Sequence, residues 1–157
     1  GELVKEDKNI LKKFDLILAL DVLEHIENDY DYLDEWLKKL NTKGIILITV
    51  PAFPHLWSSH DIKMKHKRRY TKKSLLELTK KLNLTTIKAN YIFSFMYPIN
   101  YLLRVLLKSE NYNNLRLPHP VINSALTKLG KIESTINGSS YFGTSIVGIF
   151  KKKTNEN

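Results

Sequence analysis

The stretch Phe14-Asp15-Leu16-Ile17-Leu18-Ala19-Leu20-Asp21-Val22-Leu23-Glu24-His25 constrains the fold more than any other. Five consecutive apolar residues, Leu16 to Leu20, leave no polar face, as in a strand of a parallel sheet that helices cover on both sides. An acidic turn comes directly after them. The carboxyl ends of such strands are where open α/β sheets hold their ligands, so Asp21, Glu24 and His25 stand in a favoured place for chemistry.

The next thirty residues extend that unit. Leu33, Trp36, Leu37 and Leu40 fall at i, i+3, i+4 and i+7, which predicts a helix over Asp29–Leu40 with Asn28 or Asp29 at its cap. Gly44 closes the connection, and Ile45–Val50 is a second apolar β run stopped by Pro51. Strand, helix and strand with short links predict a right-handed parallel βαβ unit. Pro51–Tyr70 then reads as one long loop, of a length that compact domains usually reserve for function. Thr71 caps a helix over Lys72–Leu82 whose Leu75, Leu78 and Leu82 share a face, and Thr85–Ile92 reads as a strand. Tyr91–Leu107 is strongly apolar but is interrupted by Pro98, Asn100 and Arg104, and it is short for a bilayer crossing. A polar loop over Lys108–Asn114, a helix over Asn123–Ser134 and a last strand over Thr144–Lys152 complete the reading.

The ordered set FDLILALDVLEHI, then Lys43-Gly44-Ile45-Ile46-Leu47-Ile48-Thr49-Val50-Pro51, resembles class I S-adenosylmethionine-dependent methyltransferases from about their fourth strand onward. Leu56-Trp57-Ser58-Ser59-His60-Asp61 and His66-Lys67-Arg68-Arg69-Tyr70-Thr71 resemble one branch of that superfamily. The resemblance implies an α/β fold: the C-terminal part of a Rossmann-like methyltransferase sheet, in the order 4-5-7-6, with the last strand antiparallel. It implies a helical insertion between the last two strands, at about 93–140, within one partial domain over 1–157. It implies S-adenosylmethionine as cofactor, met by Glu2, Asp21, Val22, Leu23 and His25. On the acceptor side it points to His60 and His66 as base or orienting groups, and to Trp57, Asp61, Arg69 and Tyr70 as substrate-binding residues.

The glycine-rich loop that the family uses to approach its cofactor has no counterpart. The six glycines are Gly1, Gly44, Gly130, Gly138, Gly143 and Gly148, and no two have the spacing of such a loop. The expectation is therefore an N-terminally truncated portion, inactive alone, whose fourth strand leaves a bare apolar edge open to pairing with another chain.

Composition narrows the partners. A formal charge of +9 favours an anionic acceptor or surface, and a lipid-linked acceptor stays open because the apolar stripe at Tyr91–Leu107 lies beside that charge. No recognised nucleic-acid module or set of stacking aromatics accompanies the charge, so specific nucleic-acid binding is not expected. There is no cysteine, which removes disulfides and thiol chemistry and accords with a cytoplasmic setting. His55, His60, Asp61 and His66 have no standard metal-ligand spacing, and no metal site is expected from them. Two other classes compete: a non-catalytic half-domain acting as a binding or regulatory partner, and a basic module at a membrane surface.

Overall fold

The computed structural model describes residues 13–106, 119–135 and 141–153. Its first strand, β1 (Phe14–Leu20), leads through a 3-10 turn at Leu23–His25 into α1 (Asp29–Lys38) and then β2 (Leu40–Pro51). β1 and β2 are parallel, with Leu16 opposite Ile45 and Leu20 opposite Thr49, as the βαβ reading requires. The connection after β2 holds a 3-10 turn at Pro54–Leu56 and a short helix, α2 (Ser59–Lys63), before α3 (Lys72–Lys81) and β3 (Leu84–Ile92). α4 (Tyr97–Tyr101), a π-helical turn at Leu102–Leu106 and α5 (Pro120–Thr135) precede the last strand, β4 (Ser145–Lys152).

The four described strands form one sheet in the order β1-β2-β4-β3. β4 runs antiparallel to both of its neighbours, so the fold is mixed α/β with one parallel pair at one side. The core lies on one face of this sheet. There Leu33 and Leu37 of α1 and Leu75 of α3 meet Ala19, Ile46, Ile48, Val50, Ile146 and Phe150. Gly148 permits this closeness, since a Cβ there would come within 2.4 Å of the Phe150 ring.

Several boundaries differ from the sequence expectation. β2 begins at Leu40, because Leu40 pairs with Phe14 and ends the helix before its last apolar position. Gly44 therefore lies inside a strand. Asn28 is the N-cap of α1, but its amide side chain donates to Asp31 and caps no backbone N–H. Thr71 does cap α3, its hydroxyl accepting from the Ser74 N–H.

The largest correction concerns β1. Two-sided apolar character predicts burial on both faces, yet Leu16, Leu18 and Leu20 are each at least 50% exposed. β1 stands at the edge of the described sheet, and among the described residues helices cover only the face that carries Ala19. Among the described residues, no helix is long and apolar enough to cross a membrane. The expected Lys108–Asn114 loop and Glu2 lie outside the described residues.

Candidate functional site

The end of β1 is fixed in an unusual backbone state. Asp21 has φ 51°, in the left-handed region that short polar side chains tolerate best. Its N–H donates to the carbonyl of Thr49 at 3.0 Å, and the Thr49 hydroxyl donates to Asp21 Oδ1 at 3.2 Å. The next turn is anchored by Leu23, which is fully buried in the core. That anchor carries Glu24 inward, where it is only 1% exposed and its Oε2 has no hydrogen-bond partner among the described residues. Burial pushes the Glu24 carboxyl up to about 7, with the charges of Asp21 and Asp61 acting the same way and Arg69 opposing.

The connection after β2 is tied down on this turn. The Lys67 N–H donates to the Glu24 carbonyl at 2.6 Å. The Tyr70 hydroxyl donates to Asp29 Oδ2 at 2.7 Å, and the Phe53 N–H donates to the Tyr70 carbonyl at 2.7 Å. Burial and the Asp29 carboxylate raise the Tyr70 phenol far above its ordinary value, so it stays a neutral donor.

Asp61 is the hub of the segment and is wholly buried. It closes a capping box at the start of α2, accepting from the Ser58 N–H at 2.9 Å. Its Oδ1 accepts from Arg69 Nε at 2.7 Å and pairs with His66 Nδ1 at 2.9 Å. Arg104 Nη1 stands 3.9 Å from Oδ2. Burial alone would raise the Asp61 carboxyl, but the Arg69 donor and charge, His66 and the Ser58 N–H together pull it below the usual carboxylate range. The guanidiniums also donate to backbone, Arg69 to the Ala52 carbonyl at 3.0 Å and Arg104 to the Leu56 carbonyl at 3.1 Å.

These ties enclose a cavity of about 360 Å³ at the carboxyl ends of β1 and β2. Asp21, Glu24 and His25 form one wall, and His60, His66 and Arg69 form another. Asn100 of α4 and Arg104 of the following π-helical turn close it, beside Thr144 and Ser145 at the start of β4. Burial and the Arg104 charge hold the His60 imidazole below its usual value, so near neutral pH it is an acceptor of protons and of hydrogen bonds.

Of the residues singled out in the sequence, the structure brings together Asp21, His25, His60, His66 and Arg69, with Asp61 directly behind them. Val22 and Leu23 do not line the cavity: Leu23 belongs to the core and Val22 packs on it. Trp57, 37% exposed, is not a wall residue either, and Tyr70 is a buried prop between two loops. His55 lies apart, stacked on Phe53 and 3.1 Å from the Tyr97 hydroxyl. Sequence reasoning gives no role to Asn100 and Arg104, which read as interruptions of an apolar run. Their i, i+4 spacing is the available signal, because it places both on one helical face.

No family model matches the sequence, and no curated protein matches it. Solved structures do match. A protein from Bacillus halodurans C-125 assigned as a methyltransferase is 13% identical, over 91% of this chain and 66% of its own, with a TM-score of 0.52. Phosphoethanolamine N-methyltransferase 2 of Haemonchus contortus, solved with S-adenosyl-L-methionine, is 15% identical over 90% of this chain and 34% of its own, at 0.51. The plantazolicin methyltransferase, solved with S-adenosylhomocysteine, is 12% identical over 94% of this chain and 56% of its own, at 0.50. The chain has the fold of the class I S-adenosylmethionine-dependent methyltransferases. It spans between a third and two thirds of the length of these relatives.

Proposed function

We propose that this chain is the acceptor-side portion of an S-adenosylmethionine-dependent methyltransferase, with β1 to β4 as the fourth, fifth, sixth and seventh strands of a larger sheet. The observation that carries the reading is the cavity at the carboxyl ends of β1 and β2 in a chain with that fold. Methyl transfer from a sulfonium is an in-line displacement, and the donor supplies the activation. The protein's share is alignment, exclusion of water and, for some acceptors, removal of a proton. In this reading the Asp21–His25 turn meets the methionine end of the cofactor. His60 is the base or orienting group toward the acceptor, and the neighbouring guanidiniums of Arg69 and Arg104 favour an acceptor that carries negative charge.

The missing glycine-rich loop supports a chain that does not hold the cofactor firmly by itself. Titration calorimetry with S-adenosylmethionine is expected to give no micromolar binding. Backbone NMR with millimolar S-adenosylhomocysteine is expected to move the signals of Asp21–His25 and leave α5 unmoved. Micromolar binding would overturn the incomplete site, and unmoved Asp21–His25 signals would overturn the methyltransferase reading.

A second reading, a half-domain that completes its sheet with another chain, is favoured by the open apolar face of β1. It predicts a stable dimer or hetero-complex that Leu18→Lys dissolves, measured by light scattering on a sizing column.

A further inference from the structure

Glu24, His25 and His66 form a group that the methyl-transfer reading leaves without a common purpose. One ligand atom from each lies within 4.8 Å of the others. The His25 and His66 rings stand 4.7 Å apart with their planes at 81°. All three residues line the same cavity. Glu24 supplies the independent observation: it is 1% exposed, and its Oε2 lacks any hydrogen-bond partner among the described residues. A buried carboxylate oxygen left unpaired is costly, and an ion is one of its few remedies.

We propose that Glu24, His25 and His66 bind a first-row divalent transition cation. Two imidazoles and one carboxylate are a borderline-hard donor set suited to Zn²⁺, Co²⁺ or Mn²⁺, and with no cysteine there is no thiolate to compete. Bonds of about 2.0–2.2 Å at tetrahedral angles hold ligand atoms about 3.3–3.6 Å apart, so a group lying within 4.8 Å contracts by up to about 1 Å to close on an ion. Asp61 prepares His66 for this role. An ionised carboxylate only accepts, so the 2.9 Å contact places the His66 proton on Nδ1 and leaves the Nε2 lone pair for the metal. Arg69 and Arg104 share the single Asp61 carboxylate, so their remaining positive charge opposes the ion, and the Glu24 and Asp21 carboxyls on the facing wall offset it.

Three protein ligands leave coordination positions open toward the cavity, where an oxygen of an acceptor or a water completes the shell. The sequence expectation of no metal site rests on His55, His60, Asp61 and His66, which lie close together in the chain. The donors found here come from two segments that the Lys67–Glu24 hydrogen bond brings together.

The test uses the full chain near neutral pH, with Zn²⁺ in calorimetry and Co²⁺ in visible absorption. One equivalent is expected to bind, with a Co²⁺ spectrum indicating nitrogen ligation. Glu24→Gln and His25→Asn, each with unchanged far-ultraviolet circular dichroism, are expected to abolish both signals. Asp61→Asn, if it folds, is expected to weaken affinity about 10–100-fold by freeing the His66 ring. His55→Asn and His119→Asn are expected to change nothing. Absence of binding by the folded chain, or binding that survives Glu24→Gln and His25→Asn, would overturn the assignment.

Discussion

Residues 51–70 and residues 91–106 are both passages of short turns and helices beside the sheet, and in each some residues are buried or exposed against their polarity. The first carries three histidines, two arginines and an aspartate, and its charged centre is held in the interior: Asp61 is fully buried and the Arg69 side chain is 5% exposed, while the apolar Ile62 and Met64 of the same passage stand exposed. The second is a run of aromatic and aliphatic residues, yet Phe93, Ile99, Leu102 and Leu106 are exposed, as are Val121 and Ile132 of the nearby α5. Polar residues are buried when they satisfy one another, and apolar residues stay exposed when no described surface closes on them. The contrast is therefore between the buried, mutually bonded Asp61 cluster and the exposed apolar side chains.

That contrast is tested most severely at Asp61. Asp61→Asn leaves Arg69 and His66 without their shared acceptor charge in a buried setting, and a loss of roughly 3–5 kcal/mol in denaturant unfolding is expected. The same residue sets an acid limit. Its folded carboxyl ionises below the ordinary value of 3.8, so its stabilisation is full above that pH and is lost as pH falls through the folded value. Asp61→Asn is expected to flatten that limb. Tyr70→Phe removes one donor from Asp29, which keeps Arg68 at 3.2 Å, and about 1–2 kcal/mol is expected. Ile132→Ser, on the exposed face of α5, is expected to change stability by no more than about 0.5 kcal/mol. A loss comparable with that of Tyr70→Phe would show that α5 is packed and would break the comparison. Last, NMR titration is expected to place His60 below 6.5, because burial and Arg104 disfavour its charged form. The folded chain then binds fewer protons there than the unfolded one, and stability falls as pH drops beneath 6.5. His60→Gln is expected to lessen that slope.

Periodicity makes α1 and α3 legible, because each buries a face whose spacing matches its own geometry, and continuous apolar runs make β1 and β2 legible as strands without fixing which face of β1 is covered. The start of β2 is not legible: Asn41 and Thr42 are polar, and only the pairing of Leu40 with Phe14 extends the strand to them. α2 is written in the chain as Ser58-x-x-Asp61, a capping box within what composition alone marks as loop. The burial of Asp61 is not readable in advance, since it depends on Arg69, His66 and Arg104 arriving from different turns of the chain. For the same reason Arg104 looks like a break in an apolar stripe, although it is one of the charges that face into the cavity. Local sequence carries the elements; the polar interior belongs to tertiary structure.

The left-handed backbone at Asp21 has a further consequence. Two hydrogen bonds from its own N–H and one at its carboxylate, all to Thr49, already fix this residue at the mouth of the cavity. Its rotational freedom was surrendered when β1 docked on β2. A ligand that meets this carboxylate thus finds a rigid acceptor and loses little further entropy in ordering it. Thr49→Val would remove the two bonds to the hydroxyl and free the Asp21 carboxylate while its N–H stays on the Thr49 carbonyl, and association there would carry an entropic penalty that the folded chain now spares it.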